Sequence, residues 1–343
     1  MKISWKKHRL IFKKAAGTSR TVLYHKDVWY ILIEEKGRKG IGECNPLVGL
    51  SIDDREDFEE QLNDFSKRFE ENSKIELDLL SDFPSMKFGF EMALKDLETG
   101  GKRILFDSEF SRGESSIPIN GLLWMASKDD MLAQLEKKLE EGFTCIKMKI
   151  GAINFEDELA ILKAIRKNFK ADEIEIRVDA NGAFKAEEAL SKLEKLAFFD
   201  IHSIEQPIHT KQWEEMRYLC KSSPIKIALD EELIGLKSKD ERMQMMEMIH
   251  PDFIILKPSL IGGFSDSDEW IAIAEKNKVG WWITSALESN IGLNAIAQYS
   301  YTKNVRMPQG LGTGALYSNN IDSPLFISDG ALYYDINGAW GEL

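Results

Sequence analysis

Phe143-Thr144-Cys145-Ile146-Lys147-Met148-Lys149-Ile150 is the stretch on which the reading of the whole chain turns. It follows a helical run that Gly142 ends, and its β-branched and apolar residues read as a strand. Side chains of a strand alternate between faces, so Lys147 and Lys149 share one face. Two ammonium groups side by side repel. On an open edge strand that means little. At the mouth of a barrel it lowers the pKa of at least one of them and yields a base usable near neutral pH.

Outward from this strand the same unit recurs. Strands are predicted over 117–122, 175–179, 201–205, 225–230, 253–257, 280–284 and 305–310. Helices are predicted over 155–169, 186–196, 213–221, 239–249, 264–276 and 289–299, after one that Ser127 caps with Asp130 three residues on. Eight strands with seven helices between them, in units of about 25–30 residues, point to a (β/α) barrel rather than an open sheet. Residues 2–46 read instead as a small antiparallel sheet: 3–12 alternates, Gly17-Thr18-Ser19 breaks it, 28–35 runs apolar, and Lys36-Gly37-Arg38-Lys39-Gly40 turns back. Helices over 52–69, with Ser51 or Asp53 near its cap, and 85–97 complete an α+β unit. The fold class is therefore α/β, a TIM-type barrel with an α+β domain at residues 1–115, the barrel at 116–314, and a tail at 315–343 that returns to the first domain.

Net charge of −12 and a pI near 5.1 argue against nucleic acid or an anionic membrane as partner, and leave a small anionic substrate open. Three cysteines without a CxxC pair make neither a disulfide framework nor a thiolate zinc site and fit the cytoplasm. No signal peptide and no 18-residue apolar span are read. Nothing in the sequence sets the oligomeric state.

Active sites of such barrels lie at the C-terminal ends of the strands. Here those ends are Lys147 and Lys149, then Asp179, Glu205, Asp230 and Lys257. Three carboxylates ending three consecutive strands converge, and they repel too strongly to stay ionised together without a cation. Hard oxygen donors with no His or Cys beside them suit Mg²⁺, with Mn²⁺ as a possible substitute. Such a cation, holding a substrate carboxylate, would acidify the adjacent C–H so that a lysine can remove the proton.

The motifs Lys147-Met148-Lys149, Val178-Asp179-Ala180-Asn181-Gly182, Ile204-Glu205-Gln206-Pro207, Ala228-Leu229-Asp230-Glu231 and Leu256-Lys257-Pro258-Ser259, in this order, resemble the enolase superfamily in its muconate-lactonizing subgroup. In that superfamily a Lys or His base works with Mg²⁺. The resemblance implies a (β/α)₇β barrel, an N-terminal capping domain and a C-terminal return to the cap. Trp281-Trp282-Ile283-Thr284 stands where the mandelate-racemase type needs a His. Thr284-Ser285-Ala286-Leu287-Glu288-Ser289-Asn290-Ile291-Gly292, Ile261-Gly262-Gly263 and Gln309-Gly310-Leu311-Gly312-Thr313 are similar to segments of the o-succinylbenzoate synthases.

That likeness implies dehydration of 2-succinyl-6-hydroxy-2,4-cyclohexadiene-1-carboxylate in menaquinone synthesis. Lys149 would be base and then acid, Lys257 the cation over the ring, Lys147 a group that tunes Lys149 or hydrogen-bonds the bound carboxylate, and Asp179, Glu205 and Asp230 the Mg²⁺ ligands. Ser285 and Ser289, with the N–H groups starting the helix at Ser289, suit the remote succinyl carboxylate. Arg177 and Asn181 complete the expected substrate side. Leu47, Val48 and Leu50 are expected to exclude water, and Glu231 and Glu288 to support the site from behind. The alternative within the subgroup is racemisation of N-succinylamino acids or epimerisation of dipeptides. Dipeptide epimerases of this superfamily carry an Asp-x-Asp near the eighth strand, where this chain has Gly310-Leu311-Gly312-Thr313-Gly314.

Overall fold

Three antiparallel strands open the chain: β1 (Lys2–Gly17), β2 (Val22–Glu35) and β3 (Arg38–Cys44), paired in that order. The computed structural model describes residues 1–17, 22–124, 126–151 and 153–343. Thr18 and Ser19 of the expected strand break therefore lie outside the described residues. Helices α1 (Phe58–Asn72) and α2 (Pro84–Glu98) cover the sheet and bury Trp29, Ile31, Ile33, Phe58, Leu62, Phe69 and Phe90 in a core of their own. Close approach of α2 to β3 needs glycine: a Cβ on Gly42 would sit 1.9 Å from the Gly89 carbonyl oxygen.

Helix α1 begins at Phe58, six residues later than expected, and neither Ser51 nor Asp53 caps it. Ser51 Oγ accepts from Leu47 N–H, and Asp53 accepts from both Ser85 N–H and Ser85 Oγ. Asp53 thus satisfies the start of the next helix, α2, from 32 residues away. Short-range spacing finds a capping residue; it does not say which helix the residue caps.

After a short β4 (Ile117–Pro118), the seven strands β5 (Gly121–Leu123), β6 (Cys145–Lys149), β7 (Glu175–Asp179), β8 (Ser203–Glu205), β9 (Lys226–Leu229), β10 (Phe253–Leu256) and β11 (Gly280–Ile283) pair in parallel, in chain order. Between them run α3 (Lys128–Glu140), α4 (Phe155–Asn168), α5 (Ala186–Ala197), α6 (Trp213–Ser222), α7 (Lys239–Ile249) and the one-turn α8 (Pro258–Ile261) with α9 (Gly263–Lys276); α10 (Asn290–Thr302) follows β11. Ile146, Met148, Ile176, Val178, Ile227, Leu229, Ile254 and Leu256 are buried in the largest core cluster. The residues alternating with them include Lys147, Lys149, Arg177, Asp179 and Glu205, which share the other face of the sheet.

The eighth stave is much shorter than the strand expected over 305–310. Only Gln309 and Gly310 bridge, Gln309 to Ile119 and Gly310 to Thr284. Gly310 N–H donates to Ile283 at 3.0 Å and Asn120 N–H to Gln309 at 3.0 Å, so these two residues join the first and last strands. A Cβ on Gly310 would lie 1.9 Å from Thr284 Oγ1, which reserves the position for glycine. The first expected strand, 117–122, is split between β4 and β5. Beyond it, β12 (Leu325–Ser328) and β13 (Ala331–Tyr334) form a hairpin, and β13 pairs with β4. The tail also touches the N-terminal sheet: Phe12 bridges Tyr317, and Ser318 N–H donates to Ile11 at 2.9 Å.

Candidate active site

Register sets the site. Lys149 of β6 pairs with Asp179 of β7, and Asp179 pairs with Glu205 of β8. Asp230 follows the last residue of β9, and Lys257 the last residue of β10. β6 and β10 are the second and sixth staves, so Lys257 faces the lysine pair from the opposite wall. Asp179, Glu205 and Asp230 are buried, and the lysine side chains are 12–13% exposed.

Lys147 Nζ lies 2.9 Å from Asp179 Oδ2 and hydrogen-bonds Glu205 Oε2. Lys149 Nζ donates to the same Asp179 oxygen at 2.8 Å and to Asn181 Oδ1 at 2.7 Å. Lys257 Nζ pairs with Asp230 and lies 4.0 Å from Glu205 Oε1. That Glu205 oxygen is buried and has no hydrogen-bond partner. Asn181 Nδ2 donates to Glu231 Oε1 at 2.9 Å, which turns the amide oxygen toward Lys149.

For Lys147 the electrostatics run opposite to a lowered pKa. Burial lowers the Lys147 pKa, but attraction to Asp179, Glu205 and Asp230 outweighs it and the net shift is upward. Burial works against ionisation of Asp179, yet Lys147 and Lys149 hold its carboxyl well below the usual range. Burial, reinforced by Asp179 and Asp230, pushes Glu205 well above that range. Lys257 is raised: burial opposes its charge, and Asp230 and Glu205 more than offset this.

All-oxygen donors, burial and an unpartnered Glu205 oxygen are the chemistry of a hard-cation site. As placed, the positive charge among the acids is supplied by lysine ammonium groups. Among the described residues no three His, Cys, Asp or Glu side chains are gathered to ligate one ion.

Residues 130–339 match the family described as Enolase C-terminal domain-like, and residues 8–97 match MenC, N-terminal domain. An o-succinylbenzoate synthase of Desulfotalea psychrophila is 45% identical, over 97% of this chain and 98% of its own length. This chain belongs to the o-succinylbenzoate synthase branch of the enolase superfamily. The crystal structure of MenC from Desulfotalea psychrophila matches with a TM-score of 0.87 and 42% identity, over 97% of this chain and 99% of that one. A dipeptide epimerase from Enterococcus faecalis, complexed with Mg and the dipeptide L-Leu-L-Tyr, matches with a TM-score of 0.83 at 19% identity, over 99% of this chain and 98% of that one. This last likeness is one of fold.

In this synthase-branch chain two residues expected on the substrate side are engaged elsewhere. Ser289 is fully buried as the N-cap of α10, and its N–H and Oγ both donate to the Glu43 carboxylate, at 2.8 and 2.6 Å. Gly292 N–H adds a third bond to Glu43 at 2.7 Å. The anion at this helix start is the protein's own, brought by β3, so Ser289 is not free to hold a substrate carboxylate. Arg177 donates to Glu175 Oε1 at 2.7 Å and to the Pro308 carbonyl at 2.9 Å, and stacks over Trp282 at 4.6 Å. It ties β7 to the closing stave, two residues before Asp179, and is engaged there rather than on the expected substrate side.

Ser285 and Asn181 stay near the strand ends. Ser285 shares a 2.7 Å hydrogen bond with Thr313 Oγ1 and donates to Gly310 at 3.2 Å. Leu47 and Leu50 pack against the main core, whereas Val48 is 64% exposed. Glu288 accepts from Ser259 Oγ and from Ala286 N–H. Sequence reasoning missed Glu43, Asn45 and Lys26, all buried where the cap meets the barrel. A Lys or Glu at an alternating strand position gives no sign that its face is covered by another domain.

Among the described residues no helix is long and apolar enough to cross a membrane.

Proposed function

We propose that this chain is an o-succinylbenzoate synthase: it removes water from 2-succinyl-6-hydroxy-2,4-cyclohexadiene-1-carboxylate to give 2-succinylbenzoate, a step of menaquinone synthesis. The relative of that name, 45% identical over 97% of the chain, carries the reading. The placement of three lysines on opposed walls around three buried acids supports it.

Asp179, Glu205 and Asp230 would hold Mg²⁺, or Mn²⁺ in its place. When bound, the cation acidifies the hydrogen α to the substrate carboxylate and stabilises the charge that develops there. Lys149, as the neutral amine, takes that α-proton. The same ammonium then protonates the departing hydroxyl on the same face, so the ring aromatises, one water leaves, and Lys149 returns to the amine. Lys257 holds its positive charge against the ring from the opposite wall. Lys147 hydrogen-bonds Glu205 and shares Asp179 Oδ2 with Lys149, which keeps Lys149 in line. Ser285 is the residue best suited to the succinyl carboxylate.

The test is aromatisation of the cyclohexadiene substrate, followed by absorbance with Mg²⁺, after chelation, and after Mg²⁺ is restored. Activity that stops in EDTA and returns with Mg²⁺ is expected; full activity in EDTA would remove the metal from the mechanism. The opposed lysines also suit a two-base racemisation of N-succinylamino acids. Exchange of their α-hydrogen in D₂O, faster than dehydration, would favour that second reading.

A further inference from the structure

Leu287, in the loop from β11 to α10, has φ +65°. Among the described residues it is the one aliphatic side chain with positive φ, a conformation that crowds Cβ against the backbone and is left mostly to Gly, Asn and Asp. Such a residue persists only where its surroundings over-determine it. Here the surroundings come from outside the barrel. The Leu287 carbonyl accepts from Tyr317 Oη at 2.7 Å and from Lys26 Nζ at 3.3 Å. Lys26 belongs to β2 of the cap and Tyr317 to the C-terminal segment.

The Lys26 ammonium also donates to Asn45 Oδ1, and Asn45 Nδ2 donates to the Ala286 carbonyl at 2.9 Å. Asn45 Nδ2 further lies 3.5 Å from the hydroxyl of Ser259, two residues beyond Lys257. Thr284 N–H bonds Leu256, the residue before Lys257. The strained loop is therefore pinned beside the mouth of the barrel by three side chains that touch no candidate catalytic group.

We infer that Lys26, Asn45 and Tyr317 are positioning residues: they hold the loop from Thr284 to Ser289, and with it Ser285, in the conformation that receives the substrate's remote carboxylate. The inference rests on the proposed dehydration and on the proposed role of Ser285. It gives cap and tail a part in substrate affinity without contact with the substrate.

The experiment is a kinetic cycle on the full chain with Mg²⁺: wild type, Lys26→Met, Tyr317→Phe, Leu287→Gly and the double variant Lys26→Met/Leu287→Gly. Tyr317→Phe removes one hydroxyl and keeps the ring, so it reports even if Lys26→Met folds poorly. Lys26→Met and Tyr317→Phe should each raise KM roughly tenfold while kcat stays within about twofold, because the lysines and acids of the site are untouched. Glycine accepts positive φ without help, so in the Leu287→Gly background the Lys26→Met loss should shrink to under about threefold. Wild-type KM in both single variants, a loss confined to kcat, or an undiminished loss in the glycine background would each overturn the clamp. An inactive wild type would instead overturn the dehydration itself, and this role with it.

Discussion

Lys149 and Asn181 are joined by a 2.7 Å hydrogen bond from Nζ to Oδ1. Asn181 is held from its far side by Glu231 and through its own N–H by Asp179 Oδ1, at 2.9 and 3.0 Å. The amide thus has a fixed orientation and gives Lys149 a neutral acceptor beside a charged one. Replacing Asn181, whose φ is +45°, by Gly removes the amide without backbone strain and should lower kcat about 10- to 100-fold with little change in KM, since the lysine loses its aim. Lys149→Ala should lower kcat by on the order of a thousandfold or more, with the circular dichroism of the fold retained. Turnover near wild type in Lys149→Ala would assign the base elsewhere.

Glu205 has one carboxylate oxygen paired with Lys147, while the other accepts no hydrogen bond and has Lys257 Nζ 4.0 Å away. If the acids hold Mg²⁺, Glu205→Gln should abolish the heat of Mg²⁺ binding in titration calorimetry and reduce turnover by roughly a thousandfold. Asp230→Asn should behave alike. Unchanged Mg²⁺ affinity in both variants would move the metal to other residues.

Arg177 spans the barrel interior, from Glu175 to the Pro308 carbonyl and the face of Trp282. Its loss frees the short closing stave and strips the half-buried Pro308 carbonyl of its donor. Arg177→Met should cost about 2–3 kcal/mol of stability. The midpoint of urea unfolding reads this directly; a midpoint equal to wild type would mean the closing residues hold without it.

Glu43 is buried among the N–H groups of Ser289 and Gly292. Burial raises its pKa from 4.5 to about 7, against the opposing hydrogen bonds from Ser289. The folded state then binds a proton more tightly than the unfolded chain. This stabilisation is complete below about pH 4.5 and disappears as the pH rises through about 7, with an upper bound of roughly 3–4 kcal/mol. Lys26, lowered to about 8 chiefly by burial, titrates above that window. Melting temperatures measured between about pH 5 and 7.5 should fall in wild type, and fall less in Glu43→Gln. Parallel curves for the two proteins would show that Glu43 does not titrate in that range.

Much of the barrel was legible from local pattern. β7 and α7 begin and end where their alternation and periodicity predict. The strand ends carrying Lys149, Asp179, Glu205, Asp230 and Lys257 fall at one phase of a repeat, and that phase survives errors of a residue or two in each strand. The closing stave is shorter than its sequence implies: 305–310 has the pattern of any short strand, yet only two of its residues find partners. Helix α1 was begun too early for the opposite reason: residues 52–57 have helical polarity, but Ser51 and Asp53 turn their side chains to other backbone groups.

Residue order alone dictated the alternation of strands and helices, and the row of acids and lysines at the strand tips. Both depend on periods of two and of about 3.6 residues, which operate over a single element. The three-dimensional packing decided the rest. It put a glutamate from β3 on Ser289, turned Arg177 toward Pro308, and pressed Lys26 and Tyr317 onto one leucine carbonyl. Those outcomes pair groups up to hundreds of positions apart, and the cost of burying each polar group without its partner is set by neighbours that no local window contains.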